Sequence, residues 1–313
     1  MNTFCTIITA DYLPFAKVLH ASILKNEPGT TLQVLVVEKN DFNSSPNFIL
    51  HSIDTVLTSP VAKGIYKKYA HTNQNFRSAL KPVFINYLLQ NGFDKVIYAD
   101  GDLYFVNNFD FLFGELDTNN ILLTPHWANI NPLENEGSFK DVMRGGLYNA
   151  GFIGVNKKGS EAINWWAEMC HYKTEENTEL GLFYDQKYLD ILPVQFDGIK
   201  IIKHQGCNLA SWNVETCKRE IVDGKLLING KFEPVFIHFA KETIANILNR
   251  NDKLLMPYLE KYIQALKKEG FDLVNKYAEL DFKKYNSPFY KIKHTLRLRT
   301  RLKRFLFKLA EKL

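Results

Sequence analysis

Tyr98-Ala99-Asp100-Gly101-Asp102-Leu103-Tyr104-Phe105 runs on from Lys95-Val96-Ile97-Tyr98, a short apolar run without polar alternation. Such a run reads as a buried strand, covered on both faces. That reading sets Asp100 and Asp102 at the strand's C-terminal end. In open α/β sheets this is the edge at which ligands bind. Two carboxylates at i and i+2 around a glycine suit a hard divalent cation that keeps its remaining positions for a phosphate. A solvated Asp-Gly turn would show the same letters, so the surrounding residues decide.

Toward the N-terminus, Phe4-Cys5-Thr6-Ile7-Ile8-Thr9 reads as a first strand and Ala10-Asp11-Tyr12 as a loop. Residues 15–24 have helical apolar spacing, ended by Pro28-Gly29, and residues 32–37 form a second buried strand. Residues 76–89 are helical and lead through Asn91-Gly92 into the Lys95 strand. Toward the C-terminus, Ile121-Leu122-Leu123-Thr124 and Gly151-Phe152-Ile153-Gly154-Val155 read as strands and residues 160–171 as a helix. Val235-Phe236-Ile237-His238-Phe239 is a late strand. This alternation predicts an α/β fold, a mostly parallel sheet flanked by helices. The segment between Trp127 and Leu147 has little periodicity and is expected as a lid or an unordered loop. From Asn251 the chain turns helical and charged, which sets a catalytic domain at 1–250 and a helical C-terminal appendage at 251–313.

At 313 residues and 46% hydrophobic, the chain can bury a sizeable core. Cys5, Cys170, Cys207 and Cys217 form no CxxC pair and no metal-ligand spacing, which points to a reducing compartment. Cys5 is expected as a small core residue. The N-terminus lacks the pattern of a signal peptide, and no apolar run approaches the ~18–20 residues that span a bilayer. The expected location is cytoplasmic, or peripheral on the inner face of the plasma membrane. The net charge of +5 is uneven, because residues 291–313 hold nine Lys/Arg against one acid and leave the body mildly acidic. Leu298, Leu302, Phe305, Leu309 and Leu313 form a helical stripe flanked by Arg297, Arg301, Arg304, Lys308 and Lys312. An apolar face bordered by cations fits a helix lying on an anionic membrane surface, or one docked on protein.

Taken in order over residues 3–240, these motifs resemble the retaining glycosyltransferases of family 8, a GT-A group that includes glycogenin and bacterial lipooligosaccharide galactosyltransferases. The resemblance implies a GT-A-type fold, a UDP-sugar donor, a glycan or glycolipid acceptor, and Mn²⁺ or Mg²⁺ on the diphosphate. It implies metal ligation by Asp100 and Asp102, with Gly101 between them on the donor, and His238 as third ligand. Imidazole beside two carboxylates shifts the preference toward Mn²⁺. Thr9, Ala10, Asp11 and Tyr12 would hold the nucleoside, and an aromatic face there can stack on uracil. Arg77, with Lys81 second, would reach the donor sugar and the carboxylates. Asn149, in Asn149-Ala150-Gly151, would present an amide to the donor sugar, with Gly151 permitting close approach. Asp185 and Gln186 would sit near the anomeric carbon. One departure stands out. The family follows its histidine with a Gly-containing stretch, a lysine and Pro-Trp, whereas this chain reads Phe239-Ala240-Lys241-Glu242, which leaves Lys241 as the substitute diphosphate contact. Asn208 and Trp212-Asn213 fall where the family has an aromatic–polar strand facing the acceptor, and Trp165-Trp166 is expected in the core.

Other readings fit less well. A haloacid-dehalogenase phosphatase would have Gly-Thr after its second aspartate, near the N-terminus; here Leu103-Tyr104 follow. A sugar-phosphate nucleotidyltransferase would want a Gly-rich, Arg-bearing loop where this chain has Thr9-Ala10-Asp11-Tyr12. Nucleic-acid binding through the basic tail is disfavoured by the acidic body and the apolar stripe. Donor sugar, acceptor, linkage and oligomeric state leave no mark in the sequence.

Overall fold

The computed structural model describes residues 1–38 and 42–273. Five strands form one flank of the fold and its centre: β1 (Asn2–Ile8), β2 (Leu32–Val36), β3 (Phe48–Ser52), β4 (Lys95–Ala99) and β5 (Leu103–Phe105). Next come β6 (Ile121–Pro125), β7 (Tyr148–Asn156), a small hairpin of β8 (Glu176–Asn177) and β9 (Leu182–Phe183), and β10 (Ile199–Ile201). A second hairpin, β11 (Arg219–Val222) with β12 (Lys225–Ile228), precedes β13 (Phe236–His238). The main sheet has seven strands in the order β10-β6-β7-β4-β1-β2-β3. Strand β7 runs antiparallel to both of its neighbours, and the other pairs are parallel.

Apolar residues fill both faces of the central strands because helices cover both. Along β1, Phe4 and Ile8 join one core cluster while Cys5 and Ile7 join the other. Along β4, Ile97 and Ala99 alternate in the same way with Val96 and Tyr98. One cluster includes α1 (Leu13–Asn26), and its aromatic centre sets Phe4 edge-on to Phe105 and Phe109 at 5.2 and 5.1 Å. The short α2 (Ile53–Val56), α3 (Pro60–Tyr69) and α4 (Asn73–Gln90) build the opposite layer. Helix α5 (Asp110–Thr118) belongs to the first cluster, while α7 (Ser160–Tyr172) brings the fully buried Trp166 to the second. Cys5 is completely buried, as expected.

Two readings of the sequence are corrected, and a third element is placed. The aperiodic segment 127–147 contains a helix, α6 (Glu136–Gly145), started by Asn135, whose side chain accepts a hydrogen bond from Ser138 N at 3.0 Å. Its apolar residues Phe139, Val142 and Met143 do fall at helical spacing, but the run is a single turn set between Gly137 and Gly145, too short to stand out from the loop around it. The late strand β13 does not join the main sheet; it pairs antiparallel with β5, His238 opposite Leu103. Trp212-Asn213 lies in a 3₁₀ turn and not in a strand.

After α8 (Leu192–Gln195) and α9 (Lys241–Leu248), the last described helix is α10 (Met256–Lys268). The chain divides into units 1–262 and 263–313, and the first holds every strand of the described residues. The basic amphipathic stripe on residues 297–313 lies outside the described residues. Among the described residues no helix is long and apolar enough to cross a membrane.

Candidate active site

From β1 the chain proceeds outward through β2 and β3, then returns to lay β4 on the other side of β1. The C-terminal ends of β1 and β4 therefore flank a reversal of strand order, where a crevice opens by geometry alone. Tyr12 comes from the first end and Asp100 from the second. Between them lies a cleft of about 320 Å³ lined by Tyr12, Arg77, Ser78, Lys81, Asp100 and Asp102.

Backbone bonds fix the two aspartates. Asp100 N donates to Gly151 O at 2.8 Å, tying the end of β4 to β7. Phe239 N donates to Asp102 O at 2.9 Å, so the β5–β13 pair draws His238 in beside Asp102. Their side chains follow: His238 Nε2 lies 3.2 Å from Asp102 Oδ1, and Tyr98 donates its hydroxyl to Asp100 Oδ1 at 2.6 Å. Asp100, Asp102 and His238 each offer one ligand atom within 4.8 Å of the others. Two carboxylates and an imidazole at that separation fit a divalent cation. Gly151 keeps the space: a Cβ there would stand 2.7 Å from His238 Cε1 and 2.9 Å from Asp100 Oδ2. Gly101 is under no such constraint, since its Cβ would meet only Ile8 and Phe15 at 3.6 and 3.7 Å. Burial alone would lower the His238 pKa, but the Asp102 carboxylate outweighs it and raises it above the ordinary histidine value. Asp102 is shifted the other way: burial raises its pKa, and His238 more than reverses that.

Lys81, not Arg77, reaches the carboxylates. Its ammonium lies 3.4 Å from Asp100 Oδ1 and 3.3 Å from Asp185 Oδ2, and donates to Ala150 O at 3.0 Å. Burial lowers its pKa, yet the two carboxylates together hold it above the usual lysine value. Burial raises the pKa of Asp185, which Lys81 only partly offsets. Arg77, one turn earlier on α4, stands over Tyr12 at 5.4 Å and donates to Asn73 O. Tyr12 also stacks on Phe15 at 4.7 Å, and Thr9 donates its hydroxyl to Asp11 Oδ1 at 2.6 Å. The amide of Ala10 is held by Glu38.

A second cleft of about 580 Å³ has Asn149 and Gln186 in its lining. Gln186 spends both ends of its amide on backbone, accepting from Ala150 N at 3.0 Å and donating to Gly145 O at 2.8 Å. It ties α6 to β7 and so shapes the cleft. Asn149 accepts from Gly151 N at 2.9 Å and turns its NH₂ toward His126 Nε2 at 3.2 Å. His126 is a residue that the sequence reading missed. Burial pushes its pKa down to about 4, and Nδ1 lies 3.0 Å from Gly146 O. The neutral ring thus donates at Nδ1 and accepts at Nε2, which fixes the Asn149 amide. Trp212 stands edge-on between His126 and His238, with centroids 5.7 and 5.3 Å away. Its Nε1 is buried without a hydrogen-bond partner among the described residues. Lys241 is exposed at the start of α9, and it is the next residue, Glu242, that lines this cleft. A histidine after a strand carries no local signal of any of this.

No family model matches the chain. Two uncharacterized proteins of Bacillus subtilis (strain 168) are similar in sequence. YfnD is 31% identical over 185 residues, which are 56% of this chain and 57% of that protein's length. YfnF is 23% identical over 252 residues, covering 79% and 83%. Among solved structures, the galactosyltransferase LgtC, in complex with donor and acceptor sugar analogs, superposes with a TM-score of 0.55 at 15% identity, over 86% of this chain and 96% of that one. The fold is accordingly of the GT-A type, a mostly parallel sheet flanked by helices.

Proposed function

We propose that this chain is a metal-dependent glycosyltransferase that moves a sugar from a UDP-sugar to a glycan or lipid-linked acceptor with retention of anomeric configuration, in surface polysaccharide synthesis. The observation that carries the reading is the Asp100–Asp102–His238 set at the end of β4, with both aspartates lining the first cleft. The first cleft has the aromatic and basic lining that suits a nucleoside diphosphate, with Arg77 and Lys81 near the phosphates. The second has the polar and aromatic lining that suits sugars.

Asp100, Asp102 and His238 would hold Mn²⁺ or Mg²⁺, which when bound neutralises charge on the departing diphosphate. Lys81 bridges Asp100 and Asp185, its ammonium 3.4 Å from one carboxylate and 3.3 Å from the other. Asp185 borders the sugar, where its charge favours the positive character that builds at the anomeric carbon. Asn149, aimed by His126, orients a donor hydroxyl, and Gln186 holds the wall. Thr9, Ala10, Asp11 and Tyr12 form the nucleoside end; Lys241 lies near enough in sequence to His238 to meet the diphosphate on ligand binding.

A panel of nucleotide sugars with Mn²⁺ tests this reading, by thermal stabilisation and by slow donor hydrolysis. UDP should stabilise the protein only with metal present, and one UDP-sugar should be hydrolysed. Asp102→Asn should abolish both effects while the metal-free protein melts as before, because the side chain is partly exposed and its loss opens no core cavity. Full hydrolysis in excess chelator would refute the metal role.

A further inference from the structure

Beside the sugar-side cleft lies another hollow, of about 420 Å³, with a lining mostly of carbon: Pro125, Trp127, Ile130, Leu147, Tyr148 and Ile201. His126 and Val142 line both spaces. Its rim is apolar and open to water, with Ile130 66% and Leu147 50% exposed. Leu133 and Met143, from the same connection between β6 and β7, are 95% and 61% exposed. Scattered apolar side chains on a surface need no explanation, but four from one connection beside a cleft do. Trp127 adds a separate sign. It sits at φ 53, in the left-handed region that a bulky residue avoids, with its carbonyl accepting from the Thr216 hydroxyl. Strain of this kind persists only where the surroundings over-determine it, and it gathers at ligand sites.

We propose that this hollow takes the apolar aglycone of the acceptor, so that the acceptor is an amphiphile, a sugar headgroup joined to a hydrocarbon chain. The proposal rests on the glycosyltransferase reading. A headgroup set against Asn149 and Trp212 would have its aglycone at the shared wall of His126 and Val142, where the second hollow begins. No acid lines that hollow, and its single cation, Lys203, is already spent over the Trp127 ring at 5.7 Å. Its chemistry therefore discriminates by burial alone. A second copy of this chain would want a broad face of roughly 800 Å² per partner. A concave hollow continuous with a sugar cleft suits a chain-like group better.

The test compares methyl and octyl glycosides of the same sugars, below the micelle concentration of the octyl compounds, read by intrinsic tryptophan fluorescence and by acceptor KM. The octyl glycoside of the accepted sugar should bind roughly tenfold tighter than the methyl glycoside, the gain expected from partial burial of its methylenes. Ile130→Ser with Leu147→Ser should remove that advantage and leave methyl-glycoside binding and UDP stabilisation unchanged. Equal affinity for the two glycosides, including no measurable binding of either, would overturn the proposal. So would an octyl advantage that survives the double substitution, or a concentration-dependent dimer that the substitution dissolves. The two readings fail separately. Hydrolysis of a nucleotide sugar without octyl preference overturns only the hollow; octyl preference without any nucleotide-sugar hydrolysis supports the hollow and overturns the transferase.

Discussion

Lys81 stands between two carboxylates that would otherwise face each other across the cleft, with 9% of its side chain exposed and only 4% of Asp185's. Removing one member of a buried pair costs more than the pair contributes, because the remaining charge stays desolvated. Lys81→Met should therefore destabilise the fold by about 3 kcal/mol at pH 8. The pH dependence has a definite sign. Without its partner, Asp185 titrates higher in the folded than in the unfolded chain, so the native state binds the extra proton and stability falls as pH rises. Urea unfolding of the variant should show a smaller deficit at pH 5 than at pH 8, and Asp185→Asn added to Lys81→Met should recover much of the loss. A deficit independent of pH would mean that lost packing, and not charge, sets the cost.

At the scale of elements, the turn that carries Trp212 is held from below. Arg219, at the start of β11, donates to the carbonyl of Ala210 at 3.0 Å and to that of Asn213 at 3.1 Å. Its Nε lies 3.1 Å from Asp252 Oδ2, and both side chains are 4% exposed. One guanidinium thus fastens the 3₁₀ turn to the segment just before α10. Arg219→Met leaves Asp252 buried and unpaired and frees those carbonyls, for a loss of about 3 kcal/mol or more. Function should separate from stability: at a temperature where the variant remains folded, glycoside binding should weaken severalfold while metal-dependent UDP binding holds. Equal weakening of both would show that the turn serves the whole site. The same scale explains why α6 was unforeseen. A helix whose apolar face is one turn of Phe139, Val142 and Met143 is held by its Asn135 cap and by Gln186 bonded to Gly145 O, and the second of these comes from a residue distant in the chain.

At the scale of the whole molecule, the reversal of strand order beside β1 sets two chain segments far apart in sequence around one crevice. The basic tail is separate from that architecture in its chemistry as read from sequence. Cations near an anionic bilayer contribute about 1 kcal/mol each at most, and salt screens them. Deleting residues 291–313 should release the protein from anionic vesicles and leave metal-dependent UDP binding intact. Flotation with anionic and neutral vesicles at low and high salt checks this. Full-length protein that ignores vesicles in all four conditions would assign the tail to a protein contact.

The sequence by itself determined five of the seven strands of the main sheet, all but the edge strands β3 and β10, and the pair of aspartates at the end of one of them. Burial on both faces leaves unbroken apolar runs, and such runs are local. Asp185, Asn149 and His238 entered as neighbours of that pair only through the resemblance of the ordered motifs to a known family, and not through any distance. What only the tertiary structure decided is which side chains meet. Arg77 and Lys81 lie one turn apart on the same face of α4, and nothing local says which one points at the carboxylates; the packing of α4 on β1 and β4 gives that place to Lys81. The register of β13 against β5 brings His238 to Asp102, and a slip of one residue would turn the imidazole to the opposite face. His126 became visible only there too, because a histidine after a strand acquires meaning from partners far along the chain. Periodicity is written residue by residue, whereas convergence depends on helix rotation and strand register, which the whole fold sets together.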